Sequence, residues 1–345
     1  MKSKSRIAYL IQDFMVGGIP TFLYNLSSEL QDEFEFYFIA TENRKINSAF
    51  NSIGEATYIN SEKDITKFLI DKKIDIVQYG NKQSYLTSAL NAKVPVIIER
   101  TAGPRSCGLN RNGVNHVISS TKGTIPLIRK NYSGGISTIY NGIDIGRVDS
   151  VNPNRLHFKD TDFIVCLVSR IGGVGQGIQY LIPAVIEARR VNSNIVLVIA
   201  GDRPNYCAED IRPLLKNLAI PLGNNCVFTG ELLDPLPIIA GSNLCCLPSL
   251  HHGISNFAIE SCALKKPVVS TNVGQMKEII HDGKNGYLIP PKNISSIRDK
   301  ILFLSNSPKK CADFGRYGRQ LVENEFNIKK QSVKYLELYK NLLNS

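Results

Sequence analysis

Short apolar runs alternate with helical stretches along the whole chain, and this alternation restricts the fold more than any other feature. Residues 6–12 (RIAYLIQ), 34–40, 74–79, 94–99, 115–120 and 136–144 read as strands in the first half. The second half repeats the pattern at 162–170, 194–202, 225–230, 243–247 and 267–270. Most are continuously apolar, as strands buried on both faces should be. Helices are expected at 21–30, with Phe22, Leu23, Leu26 and Leu30 on one stripe, and at 65–72, 177–190, 211–218, 233–240 and 256–264. Strand–helix alternation of this kind gives parallel sheets with helices on both faces. Ligands then bind at the carboxyl ends of the strands.

A chain of 345 residues can bury two cores. Residues 145–160, with Asn152-Pro153-Asn154, read as a linker. The expected domains are 1–150 and 151–325, with a terminal helix in 326–345. The basic start of the chain is followed by too short an apolar run for a signal peptide. No stretch reaches the ~18 apolar residues of a membrane-spanning helix. Eight cysteines, none in a C-x-x-C pair, read as reduced core residues of a cytoplasmic protein, and no metal site is expected from them. The net charge is +11. From Arg100 to Tyr140 there are six cations (Arg100, Arg105, Arg111, Lys122, Arg129, Lys130) and no acid. Such a stretch is either a solvated face or a contact for an anionic membrane at the inner face of the cell. It lacks the interleaved aromatics of a nucleic-acid surface.

One stretch carries the chemistry. In 247–280, LPSLHHGISNFAIESCALKKPVVSTNVGQMKEII, a buried strand leads through a glycine-bearing loop into a helix and then a further strand. Asn256 is an acceptable N-cap. The amides of Gly253, Ile254 and Ser255 fall before or in the first helical turn, where orphan N–H groups and the helix dipole favour phosphate. Glu260 follows one turn later, and a carboxylate there suits ribose hydroxyls. An ordinary strand-to-helix turn with a solvated Glu has the same spacing.

This pattern of P-S, G-x-S-N, Glu260, Ala263 and P-V-V-S-T resembles the nucleotide-sugar signature of the retaining family 4 glycosyltransferases, which have the GT-B architecture. The resemblance covers nearly the whole chain. It implies an α/β fold of two Rossmann-like domains facing each other across a cleft. It also implies a hexosyl-type transferase that is metal-independent and needs no cofactor beyond its donor, a nucleoside-diphosphate sugar such as a UDP-sugar. By the same resemblance, Arg170, His252 and Glu260 would be catalytic. Gly17, Gly18, Gln176, Gly201, Thr229, Gly253, Ile254, Ser255 and Asn256 would join Arg170 and Glu260 in donor binding. Glu99, Arg100, Thr101 and Arg105 would lie on the acceptor side.

Three positions depart from the family pattern. His252 stands where relatives carry the first of two Glu residues, Gln176 where they carry Lys, and Thr101 where they carry an acceptor-side His. Gly274-Gln275 also replaces a Gly-Gly pair. The expected function is sugar transfer to a glycan or lipid-linked acceptor in surface polysaccharide or lipopolysaccharide-type synthesis. The alternative is an impaired nucleotide-sugar-binding pseudoenzyme or partner subunit.

Overall fold

The computed structural model describes residues 4–14, 17–42, 48–80, 82–101, 110–169, 171, 173–202, 210–251 and 253–345. The chain forms two compact units. One comprises Met1–Asp144 with Phe326–Ser345, and the other Ile145–Glu325. The first unit ends six residues before the expected boundary at 150.

In the first unit the strands are β1 (Ser5–Ile11), β2 (Phe34–Ala40), β3 (Glu55–Tyr58), β4 (Ile76–Tyr79), β5 (Val96–Thr101), β6 (His116–Ser119) and β7 (Gly135–Thr138). They form a parallel sheet in the order β3-β2-β1-β4-β5-β6-β7. Its helices before the second unit are α1 (Gly18–Leu30), α2 (Glu62–Asp71), α3 (Gln83–Asn91) and α4 (Ile125–Ile128). Helix α1 starts three residues before the expected Thr21, because Gly18, Ile19 and Pro20 form its first turn. Proline is tolerated there since its missing N–H would have no helical partner. Ser61 caps α2, accepting from the Asp64 amide and donating to the Asp64 carboxylate.

The second unit opens with α5 (Ile145–Asp149). It continues through β8 (Phe163–Val168), α6 (Ile178–Arg189), β9 (Ile195–Ala200), α7 (Arg212–Ala219), β10 (Cys226–Gly230), α8 (Leu236–Gly241), β11 (Leu244–Leu247), α9 (Asn256–Ala263), β12 (Val268–Thr271), β13 (Gly286–Ile289), α10 (Ile294–Ser305) and α11 (Pro308–Glu325). Its six strands are parallel in the order β10-β9-β8-β11-β12-β13. The order reverses between β8 and β11, so the crevice expected of such a sheet lies outside their carboxyl ends. The last helix, α12 (Ile328–Leu343), belongs to the first unit and packs beside α1.

Each sheet is covered by apolar side chains. One face of the first is packed by Phe22, Leu26, Phe36, Phe38, Tyr335 and Tyr339, the other by Leu69, Tyr85, Leu86 and Val117. In the second, Leu181, Val185, Leu197 and Ile301 lie in one buried cluster. The expected strand at 136–144 is cut to four residues. Asn141 is drawn aside to accept a hydrogen bond from Arg100, and Ile143 bridges instead to Asn327. Among the described residues no helix is long and apolar enough to cross a membrane. Among them also, no cluster of His, Cys, Asp and Glu is built to hold a metal ion. The described cysteines are free thiols.

Candidate functional site

The second unit brings most of the expected donor residues to the carboxyl edge of its sheet. Beyond β11, Pro248 and Ser249 lead into the loop before α9. Thr271, at the end of β12, donates its hydroxyl to the carbonyls of Ser249 (2.5 Å) and Leu247 (3.3 Å), which fixes the exit of β11. The Leu250 amide donates to the Gly175 carbonyl at 2.9 Å, so this loop is tied to the one that follows β8. Gln176 closes a short turn in that second loop, half-buried, and Gly177 follows at φ +72°. A Cβ on Gly177 would meet the Pro248 carbonyl oxygen at 1.8 Å, so both its conformation and its space require glycine. Gly201, beyond β9, has φ +111° and the same restriction against the Ser169 carbonyl. The Gly201 amide donates to Gly230 at 2.8 Å, which places Thr229 and β10 beside it.

The cap of α9 corrects the sequence reading. Ser255, not Asn256, is the N-cap: its hydroxyl accepts from the Ala258 amide at 3.3 Å, and Asn256 is the first helical residue. The reason is reach, since a cap's side chain serves the amide two or three residues on and Ala258 is third from Ser255. Among the described residues nothing accepts from the amides of Gly253 and Ile254. They stand one and two residues before the cap, at the positive end of the helix.

Glu260 lies one turn into α9 and is half-buried. Its carboxylate makes no hydrogen bond or ion pair with any described residue. Burial pushes its pKa up to about 7, with the Arg147 charge opposing the rise and Asp234 adding to it. Arg147 and Asp234 form an ion pair of 2.9 Å next to it. Sequence reading missed both. They are far from Glu260 along the chain, and no local pattern announces them.

In the first unit, Gly17 is the extended residue preceding α1 and Gly18 is its first residue. Glu99 and Arg100, expected on the acceptor side, are both buried on β5. Glu99 is fully buried on β5, where its Oε1 accepts from Arg111 at 2.8 Å. Burial pushes the Glu99 carboxyl up and the Arg111 guanidinium draws it down. Arg100, the next residue, points to the other face of the sheet. Its Nε donates to the Tyr335 hydroxyl at 2.9 Å, another N–H to Asn141, and its guanidinium lies 4.4 Å from the Phe22 ring centre. Thr101 is buried at the strand end, with its carbonyl accepting from Ser120. The solvated basic face therefore loses two of its six cations, Arg100 and Arg111, to the interior. Arg105, Arg170 and His252 lie outside the described residues.

Comparison with known proteins agrees with this geometry. Residues 162–307 match the family model described as glycosyl transferases group 1. An uncharacterized glycosyltransferase of Methanocaldococcus jannaschii is 23% identical over 79% of this chain and 69% of its own length. The capsular polysaccharide biosynthesis glycosyltransferase CapM of Staphylococcus aureus is 26% identical over 54% of this chain, spanning 49% of CapM. Among solved structures, Anabaena HepE in complex with UDP-glucose superposes with a TM-score of 0.82 at 16% identity, covering 97% of this chain and 99% of that one. A S. aureus TarM variant in complex with fondaparinux, α-GlcNAc-glycerol and UDP gives 0.79 at 16% identity, covering 99% and 100%. The fold is thus the two-sheet GT-B architecture. The resemblance read from the sequence holds in part of the chain: residues 162–307 match the group 1 glycosyltransferases.

Proposed function

We propose that this chain is a retaining, metal-independent glycosyltransferase. It moves a sugar from a nucleoside-diphosphate donor to a glycan or lipid-linked acceptor in surface polysaccharide or lipopolysaccharide-type synthesis. The observation that carries the reading is the turn after β11: amides of Gly253 and Ile254 without protein acceptors among the described residues, a Ser255 cap, and a half-buried Glu260 one turn on. The diphosphate takes the amides and the helix dipole, with Arg170 as its cation. Stabilising charge as it develops on the leaving diphosphate lowers the barrier. Gln176 offers neutral amide hydrogens where relatives offer a cation. His252 contacts the donor sugar, and Glu260 accepts the ribose hydroxyls. Gly201 and Thr229 line the base side. UDP is the favoured nucleotide, because the HepE and TarM crystals contain it.

Thr101 and Arg105 remain on the acceptor side, while Glu99 and Arg100 support the strand that leads to them. Contact with an anionic membrane at the cytoplasmic face would fall to Arg105, Lys122, Arg129 and Lys130.

The departures at His252, Gln176 and Thr101 favour a second reading, a nucleotide-sugar-binding protein without turnover. A thermal-shift screen of UDP, GDP and CDP sugars, followed by assays of donor hydrolysis and transfer, separates the two. Stabilisation by one donor with turnover, lost in His252→Ala, supports the enzyme. Stabilisation without turnover supports the second reading, and no stabilisation by any donor overturns both.

A further inference from the structure

Helix α5 is clamped at both ends. Arg147 pairs with Asp234 at 2.9 Å, in the turn that leads into α8. Asp149 receives two hydrogen bonds from Arg319 of α11, at 2.6 and 2.9 Å. Arg319 also donates to the Ala263 carbonyl at the end of α9, at 3.2 Å. Helix α9, which carries Glu260, is therefore enclosed by α5, α8 and α11. The charged groups around it are Arg147 and Asp149 from α5, Asp234 before α8, Arg319 and Glu323 from α11, and Lys265 and Lys266 beyond its own end. Asp149, Arg319 and Glu323 answer one another at the C-terminal end of α9. Among the described residues, Arg147 and Asp234 are the charged groups that bear on Glu260.

We propose that Arg147, fixed by Asp234, is a positioning residue for donor binding, holding Glu260 as an ionised carboxylate that accepts two hydroxyls. The proposal rests on the reading of Glu260 as the ribose contact. A carboxylate offers two oxygens as acceptors, whereas a protonated carboxyl turns one of them into a donor. Hydrogen bonds to the charged form are also the stronger ones. Burial works against that form, and a cation alongside offsets part of that cost. Asp234 keeps the cation in place and tempers it, so Arg147 supports Glu260 without capturing its oxygens. The Glu260 carboxylate is thereby left open to a ligand.

The test uses the full chain with Arg147→Ala, Arg147→Lys and Asp234→Asn. Carboxyl-carbon NMR follows the Glu260 titration without ligand, assigned by the signal missing in Glu260→Gln. Calorimetry then follows UDP affinity against pH. The Glu260 midpoint should rise in Arg147→Ala, stay near the parent in Arg147→Lys and fall in Asp234→Asn. UDP should bind Arg147→Ala roughly threefold more weakly than the parent at about pH 6.5, and equally above about pH 8.5, where the carboxyl is ionised in both. A midpoint that Arg147→Ala leaves unmoved overturns the proposal whether or not UDP binds. Midpoints that move while the affinity curves stay parallel overturn it too, because the ligand then does not sense Glu260. A parent that binds UDP at no pH removes the functional reading, and the donor role of Arg147 falls with it. The Glu260 titration tells that failure apart from an absent Arg147–Glu260 coupling.

Discussion

In the first unit, Glu99 and Arg111 meet at 2.8 Å with both side chains almost wholly covered, whereas in the second Glu260 is half-buried and meets no described side chain. Glu99 stands on a strand of the first sheet and Glu260 on a helix beside the second, and both sequences around them look functional. The difference lies in what answers the charge. Glu99 is answered by Arg111, and Arg100 by Tyr335, Asn141 and the face of Phe22. These are supports for strand β5 and for the docking of α12. The Glu260 carboxylate has no hydrogen-bond or ion-pair partner among the described residues. A perturbed carboxyl without a paired cation, near a sheet's carboxyl edge, is a better pointer to a ligand than a buried ion pair.

The sharpest way to break this comparison is to remove one partner of the buried pair. Arg111→Ala should destabilise the protein by about 3–5 kcal/mol in urea unfolding, because Glu99 is left uncompensated in the core. Replacing both Glu99 and Arg111 with apolar residues should recover most of that loss. A cost under ~1 kcal/mol for Arg111→Ala would mean that the pair is no support at all, and the contrast with Glu260 would fail. Next in size is Arg100→Ala. It removes hydrogen bonds to Tyr335 and Asn141 and the cation on Phe22, for an expected loss of about 2–3 kcal/mol. Amide exchange should quicken in α12 more than in α6. Equal protection in both helices would return Arg100 to the acceptor side.

The comparison also explains what the sequence made legible. Continuous apolar runs such as 194–202 and 162–170 announce buried parallel strands, and the structure has β9 and β8 there, trimmed at both ends. Helix boundaries depend on caps, and caps are decided by one residue's reach, hence the shift from Asn256 to Ser255. Strand β3 and helix α3 went unread: Glu55–Tyr58 is only partly covered, and Gln83–Asn91 carries few large apolar residues. The partners of charges were the least legible part. Arg111 lies 12 residues from Glu99 and Tyr335 lies 235 from Arg100, so only the folded chain shows that these cations face inward. Asp234 likewise reaches Arg147 only through the packing of α5 and α8 on α9.

Backbone fit holds the contact between the loops after β8 and β11, and glycine substitutions sharpen that point. Gly177→Ala combines a positive φ with a clash against the Pro248 carbonyl. Gly283→Ala has the same φ of +72° but open space. The conformational penalty common to both is about 1 kcal/mol. Gly177→Ala should cost about twice that in urea unfolding, and it should weaken UDP binding as the two loops part. Equal costs for the two variants would show that the loop after β11 yields freely.

The last effect is the most specific to Glu260. Its folded carboxyl titrates at about 7, well above the value of an exposed Glu in the unfolded chain, near ~4.3. Between those values the folded state holds more protons than the unfolded state, so the slope of stability against pH is negative for this group. Its contribution is fully present below the unfolded value and is lost as pH rises through about 7. Glu260→Gln carries no titrating proton and should flatten that component of the curve. The measurement is unfolding free energy across this window for the parent and the variant, without ligand. The cost of ionising Glu260 at neutral pH is then what a bound ribose relieves, so affinity for UDP should rise in the parent over the same window. Superimposable stability curves for the two proteins would show that the Glu260 carboxyl is not raised in the folded chain.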